Sequence, residues 1–197
     1  NGRYGYLPIS VQKFLHTDNT KCYVSNTNKN IKEGKVCYIR RGVEINNKKS
    51  FIASISYIIV NEHHMKGKEI PSVEEMIDII INAIDIDKFM TYQNGNLPEI
   101  FSDAERTVSI DNYKDSQLYK TYSTKKEDIY KNILSKTAAA YERFIEYLKD
   151  PEESVSYKYL WDIICEPNPK LFTKGINLVI LNMPNDDVTD NIELICP

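Results

Sequence analysis

Behind Ser72, the apolar residues Val73, Met76, Ile77, Ile80, Ile81 and Ile84 recur at the spacing of one face of an α-helix, and Glu75 completes a capping box with Ser72. A chain carrying this stripe must lay a second apolar layer against it. Ser50 precedes Phe51, Ile52, Ile55, Ile58 and Ile59, a spacing that nearly buries a helix and predicts a core helix there. Thr124 and Glu127 repeat the capping-box spacing ahead of Tyr130, Ile133, Leu134, Thr137, Ala138, Tyr141, Ile145 and Leu148. That helix is expected to stop at Asp150-Pro151, because proline disfavours a helical residue before it. A shorter helix, about Ser156 to Cys165, carries the single tryptophan, Trp161. Leu7, Val11, Phe14 and Leu15, with Pro8 in the first turn, predict a short opening helix.

Between these segments the periodicity lapses. Residues 16–35 read as loop with a brief strand at Lys21–Val24, and Val36-Cys37-Tyr38-Ile39 as a short strand. Residues 91–123, with Asn94-Gly95-Asn96 and Leu97-Pro98, read as an irregular insertion containing short strands. Ile176–Asn182 and Ile192–Cys196 predict two strands joined by the turn-rich Pro184-Asn185-Asp186-Asp187 and Asp190-Asn191. The expected fold is therefore a single α+β domain over residues 1–197, its helical N-terminal two-thirds packed on a small, mainly C-terminal β-sheet. A lone hairpin is marginal in water, so that sheet calls for further strands. The chain opens at Asn1 without methionine and stops at Pro197 directly after an apolar run, which predicts a piece of a larger protein.

Composition narrows the function classes. A net charge of -3 and a pI near 5.7 exclude a wholly basic nucleic-acid wrapper and leave room for a local patch. The absence of any run of 18 apolar residues predicts no membrane span, and the N-terminus has no signal-peptide pattern. Cys22, Cys37, Cys165 and Cys196 are too scattered for a disulfide framework, which predicts reduced thiols in a cytosol-like compartment. With only 7 Gly and abundant Asn, Lys, Ile and Tyr, the codons point to an AT-rich genome.

Few constellations carry chemistry. His63-His64 with Cys22 and Cys37 would be the metal reading, but adjacent side chains diverge and no CxxC knuckle is present, so no metal or other cofactor is expected. Glu74 and Glu75 suit a first helical turn, and Asp186-Asp187 suits a turn. No GxxxxGK[ST], GxGxxG or HExxH motif occurs. The basic segment is the sharper signal: Lys29, Lys32, Lys35, Arg40, Arg41, Lys48 and Lys49 face only Glu33 and Glu44. Arg40, Arg41, Lys48 and Lys49 are the binding candidates, for phosphates or an acidic protein surface, with Tyr23 and Tyr38 as stacking planes. A solvated lysine-rich loop is the competing reading.

Two family resemblances follow. Asn47-Lys48-Lys49-Ser50-Phe51-Ile52-Ala53-Ser54-Ile55, then Phe144–Leu148, Tyr159-Leu160-Trp161-Asp162 and Gly175–Ile180, resemble the order of an ovarian-tumour (OTU) type cysteine protease. That resemblance implies an OTU- or papain-like fold and ubiquitin as partner. On this alignment Ser50 stands where the nucleophilic cysteine would be, Lys48 replaces glycine, and the histidine would follow Pro197. The resemblance implies an OTU-like cysteine protease (a deubiquitinase) or an inactive derivative of one; a serine alcohol needs a positioned base, which favours the inactive derivative, with Ser50 read instead as a helix N-cap. No catalytic residue is assigned.

Gly2-Arg3-Tyr4-Gly5-Tyr6-Leu7-Pro8 with Phe14-Leu15, Arg40-Arg41-Gly42-Val43, Ser50–Ala53 and Asp186–Pro197 resemble a segment of the early transcription factor large subunit of poxvirus- and mimivirus-like large DNA viruses. This resemblance implies a noncatalytic module binding DNA or other viral transcription subunits, in the virion or the virus factory of the host cytoplasm.

Overall fold

In a computed structural model of the protein, residues 2–62, 69–183 and 191–196 are described. The helices are α1 (Ile9–Phe14), α2 (Ser50–Glu62), α3 (Val73–Ala83), α4 (Ile86–Phe89), α5 (Leu97–Ile100), α6 (Gln117–Tyr122), α7 (Asp128–Lys149) and α8 (Tyr157–Cys165). The strands are β1 (Tyr4–Tyr6), β2 (Ile39–Arg41), β3 (Ile180–Asn182) and β4 (Glu193–Ile195). The fold is α+β, and none of these helices is long and apolar enough to cross a membrane. The chain divides into two compact units, Asn1–Glu44 with Asn177–Pro197, and Ile45–Ile176.

The second unit holds α2 to α8. The α3 stripe forms as its spacing predicts: Val73, Met76, Ile77 and Ile80 are buried, and both bonds of the Ser72–Glu75 capping box are made. Helix α7 supplies the opposite layer with Leu134, Ala138, Phe144 and Leu148. Phe89 and Phe101 pack on Phe144 at ring-centroid distances of 5.5 and 5.0 Å. The last carbonyls of a helix have no intrahelical donor. Those at the end of α3 recruit distant side chains: Lys170 donates to the Asn82 carbonyl, buried Asn168 to Ala83, and Tyr141 to Ile84.

Three expectations need correction here. Residues 91–123 form short helical turns, not strands. Asn, Ser and Asp side chains hold such turns by accepting backbone N–H groups, as Ser109 does from Asp111, Ser116 from Tyr119, and Asp87 from both Gln117 and Leu118 at 2.8 Å. Buried Leu97, Phe101 and Leu118 tie the segment to the core. The Thr124–Glu127 box is not what starts α7, which begins at Asp128 with no side-chain cap bond from Glu127. Lys125 instead sits 4.4 Å from the Tyr130 ring centroid and 5.2 Å from that of Tyr122, forming a corner between α6 and α7. Ser50 does not occupy the N-cap of α2. The Lys49 carbonyl accepts from Ala53 N, and the Asn46 carboxamide accepts the N–H groups of Lys48 and Lys49 at 3.1 and 2.8 Å. Asn46 thus closes the turn leading into the helix.

Among the described residues the four strands all lie in the first unit, as two antiparallel ribbons, β1–β2 and β3–β4. One ribbon is N-terminal, so the strands do not form a single, mainly C-terminal sheet. The ribbons likewise lend no support to an OTU- or papain-like sheet. Cys22 and Cys37 form a disulfide with their Cα atoms 6.3 Å apart, which replaces the expectation of reduced thiols at those two positions. Between them, Tyr23 bridges to Ile31 in a small hairpin. Gln12 of α1 accepts from buried Asn19 N and donates to the Leu7 carbonyl, while Asn19 donates to Tyr38 O at 3.1 Å. These polar bonds fasten the loop to α1.

Candidate nucleic-acid interface

Strand β1 pairs with β2 in a register that sets Tyr4 opposite Arg41, Gly5 opposite Arg40 and Tyr6 opposite Ile39. Successive side chains of a strand point to opposite faces. Tyr4, Tyr6, Ile39 and Arg41 therefore share one face of the ribbon, and Arg40 lies on the other, where its stem runs past Gly5. The sequence pair Arg40-Arg41 is split between the faces. It cannot act as one fork.

The Arg41 guanidinium donates to the Tyr4 hydroxyl at 2.8 Å, and its Cζ lies 5.1 Å from the Tyr4 ring centroid. Tyr6 packs against Tyr23 with centroids 4.8 Å apart, and its hydroxyl donates to the Lys29 carbonyl. Desolvation, and after it the neighbouring Tyr23, push the Tyr6 phenol above its ordinary range, which keeps it a donor. These contacts clamp the Tyr23–Ile31 hairpin beside β1. The clamp leaves a cleft of about 380 Å³ lined by Tyr4, Tyr6, Lys29, Ile31 and Ile39. Tyr4 is 61 % exposed at its mouth.

Charge follows the same geography. Residues 1–44 carry eight Lys and Arg against three Asp and Glu, in a chain whose net charge is -3. Arg3, Lys29, Lys32, Lys35 and Arg40 are all exposed. Aromatic and aliphatic walls with cations at the rim can take a planar base against tyrosine and a phosphate against arginine or lysine.

The other sequence candidates fall elsewhere. Lys48 and Lys49 belong to the second unit. Lys48 is paired with Glu152 at 2.6 Å. Lys49 is a correction: it is 5 % exposed, and its ammonium donates to the Leu148 carbonyl at the end of α7, so it presents no charge to a phosphate. Ser50 is exposed in the first turn of α2, and among the described residues the one histidine is His16, in the first unit. Of the proposed stacking planes, Tyr38 is 66 % exposed and Tyr23 is spent on Tyr6. The disulfide removes Cys22 and Cys37 as thiolate ligands for a metal, and His63, His64, Asp186 and Asp187 lie outside the described residues.

Sequence reasoning missed Tyr4 and Tyr6. The alternation Tyr4-Gly5-Tyr6 beside Arg3 is a period-2 aromatic signal that could have marked them as one face of a strand. Comparison with protein-family models, with curated proteins and with solved structures finds no match.

Proposed function

We propose that this chain is a noncatalytic module of a viral early-transcription protein, and that its β1–β2 face binds single-stranded nucleic acid. The observation that carries the binding reading is the Tyr4–Arg41 pair at the mouth of the Tyr6–Lys29 cleft, where a stacking plane and an ordered guanidinium stand side by side. The viral setting rests on the resemblance of Gly2–Pro8, Arg40–Val43 and Ser50–Ala53 to the early transcription factor large subunit. A shallow cleft suits an unstacked base, which a duplex does not offer without distortion.

The test is fluorescence anisotropy of the full chain with a labelled single strand and the matching duplex across a salt series. The single strand should bind more tightly, with affinity falling as salt rises. Lys29→Ala should lower the salt slope by about one unit. Tyr4→Ala should weaken single-strand binding by about 1–3 kcal/mol. Binding that ignores salt, or that survives Tyr4→Ala intact, would reject the reading. Loss of an acidic transcription-subunit partner on the same changes, with no nucleic-acid binding at all, would reassign the face to protein recognition.

A further inference from the structure

Phe101 follows α5, Tyr147 sits in the last turn of α7 and Tyr159 in the first turn of α8, and the three rings meet at one place in the second unit. Their centroids are 5.2 Å apart for Phe101–Tyr147, 5.4 Å for Phe101–Tyr159 and 5.8 Å for Tyr147–Tyr159. The interplanar angles are 53°, 75° and 77° in the same order. Rings so set pack edge to face into a corner; Phe101 is buried and also packs on Phe144, so the open aromatic surface of the corner is mainly that of Tyr147 and Tyr159. The corner lines a cavity of about 310 Å³ whose rim includes Glu146, Asp150 and Glu153.

The rim charges are not equal. Arg106 takes both oxygens of Glu146 at 2.6 and 2.7 Å. Arg143, the cation of this rim, donates to the Ser102 carbonyl at 3.3 Å and lies 3.6 Å from Asp103. Asp150 accepts the Glu152 N–H at 2.8 Å, and among the described residues neither Asp150 nor Glu153 forms an ion pair. The carbonyl end of the 22-residue helix α7, the negative end of its dipole, closes at the same cavity.

Aromatic faces attract a cation, and carboxylates with a helix C-terminus fix its sign. A hard metal ion would ask for a shell of oxygen ligands, whereas an aromatic lining asks for a cation with an apolar skin. We propose that this cavity binds the methylated ammonium of a lysine side chain, presented by a basic peptide segment of a partner protein. The aromatic corner holds the methyl groups, and Asp150 and Glu153 supply the counter-charge. This site is independent of the nucleic-acid face, so either assignment can fail alone.

The test is anisotropy of the full chain with a short labelled peptide carrying one trimethyllysine, against the same peptide with norleucine. The trimethyllysine peptide should bind, and norleucine should lose about tenfold or more. Glu153→Gln, an exposed change that spares the packing, should weaken binding about threefold with an unchanged melting curve. Tyr159→Leu should weaken it about tenfold. If Tyr159→Leu fails to fold, Glu153→Gln and the norleucine peptide still decide the matter. Equal binding of both peptides, no binding of either, or wild-type affinity in Glu153→Gln would overturn the proposal. Tetramethylammonium chloride that competes at concentrations as low as the peptide's would overturn the peptide assignment and leave a small quaternary amine as the ligand.

Discussion

The ammonium of Lys49 donates to the carbonyl of Leu148 at 2.9 Å, joining the start of α2 to the end of α7 across 99 positions of sequence. Desolvation by burial holds the Lys49 pKa below the ordinary lysine range. In the window between that lowered folded value and the ordinary unfolded one, the unfolded chain binds more protons, so the Lys49 contribution to stability rises with pH. Lys49→Met abolishes that rise and leaves the Leu148 carbonyl without its donor, at about 1–3 kcal/mol near neutral pH. Urea midpoints for both proteins across the alkaline range check this. A wild-type advantage over Lys49→Met that shrinks with rising pH would contradict it.

Gly175 sets a second, steric constraint. Its φ is +71°, and a Cβ there would stand 2.4 Å from the Cys165 carbonyl oxygen, which also accepts the Ile176 N–H. That oxygen and the next nearest atom, Pro167 N at 3.2 Å, are both backbone. Gly175→Ala should therefore destabilise by about 3 kcal/mol. Asn94 provides the converse case, since it holds φ +54° with a side chain attached, and Asn94→Gly should stabilise by up to about 1 kcal/mol. Thermal unfolding of the two variants should move in opposite directions, and a shift of the same sign in both would refute the backbone argument.

What the sequence made legible was local. The Ser72–Glu75 box is a contact within one turn, and the Ser156 start of α8 is another, so both follow from neighbouring residue types. Thr124–Glu127 has the same spacing as Ser72–Glu75 and a different fate, because Tyr122 and Tyr130 with Lys125 between them compete for the same turn. Lys48 and Lys49 are indistinguishable in sequence. Only the turn closed by Asn46 and the position of α7 send one to Glu152 and bury the other. The Tyr4–Arg41 pair spans 37 positions, and strand register across such a gap is fixed by tertiary pairing that no local window contains.

The disulfide is tested by counting thiols. In unreduced, unfolded protein Cys165 and Cys196 should react with a thiol reagent, while Cys22 and Cys37 should react only after reduction. A loop of 15 residues closed by a disulfide contributes about 3 kcal/mol, so reduction should expose the Tyr23–Ile31 hairpin to proteolysis. Four reactive thiols in unreduced, unfolded protein would refute the cross-link. The same result would restore the expectation of reduced thiols throughout.

The split of Arg40 from Arg41 yields the most discriminating measurement on the proposed nucleic-acid face. If both arginines merely added positive charge, Arg40→Ala and Arg41→Ala would lower the salt slope and the affinity alike. The register instead places Arg41 beside Tyr4 and Arg40 beside Gly5 on the reverse face. Arg41→Ala removes a phosphate contact and releases the Tyr4 hydroxyl, so it should weaken single-strand binding more than Arg40→Ala does. It should also be non-additive with Tyr4→Ala, because each change disables the same pair. Arg40→Ala should combine additively with Tyr4→Ala. Anisotropy of the three single and two double variants at one salt concentration decides between these patterns, and equal losses for the two arginines would show that the ribbon contributes charge alone.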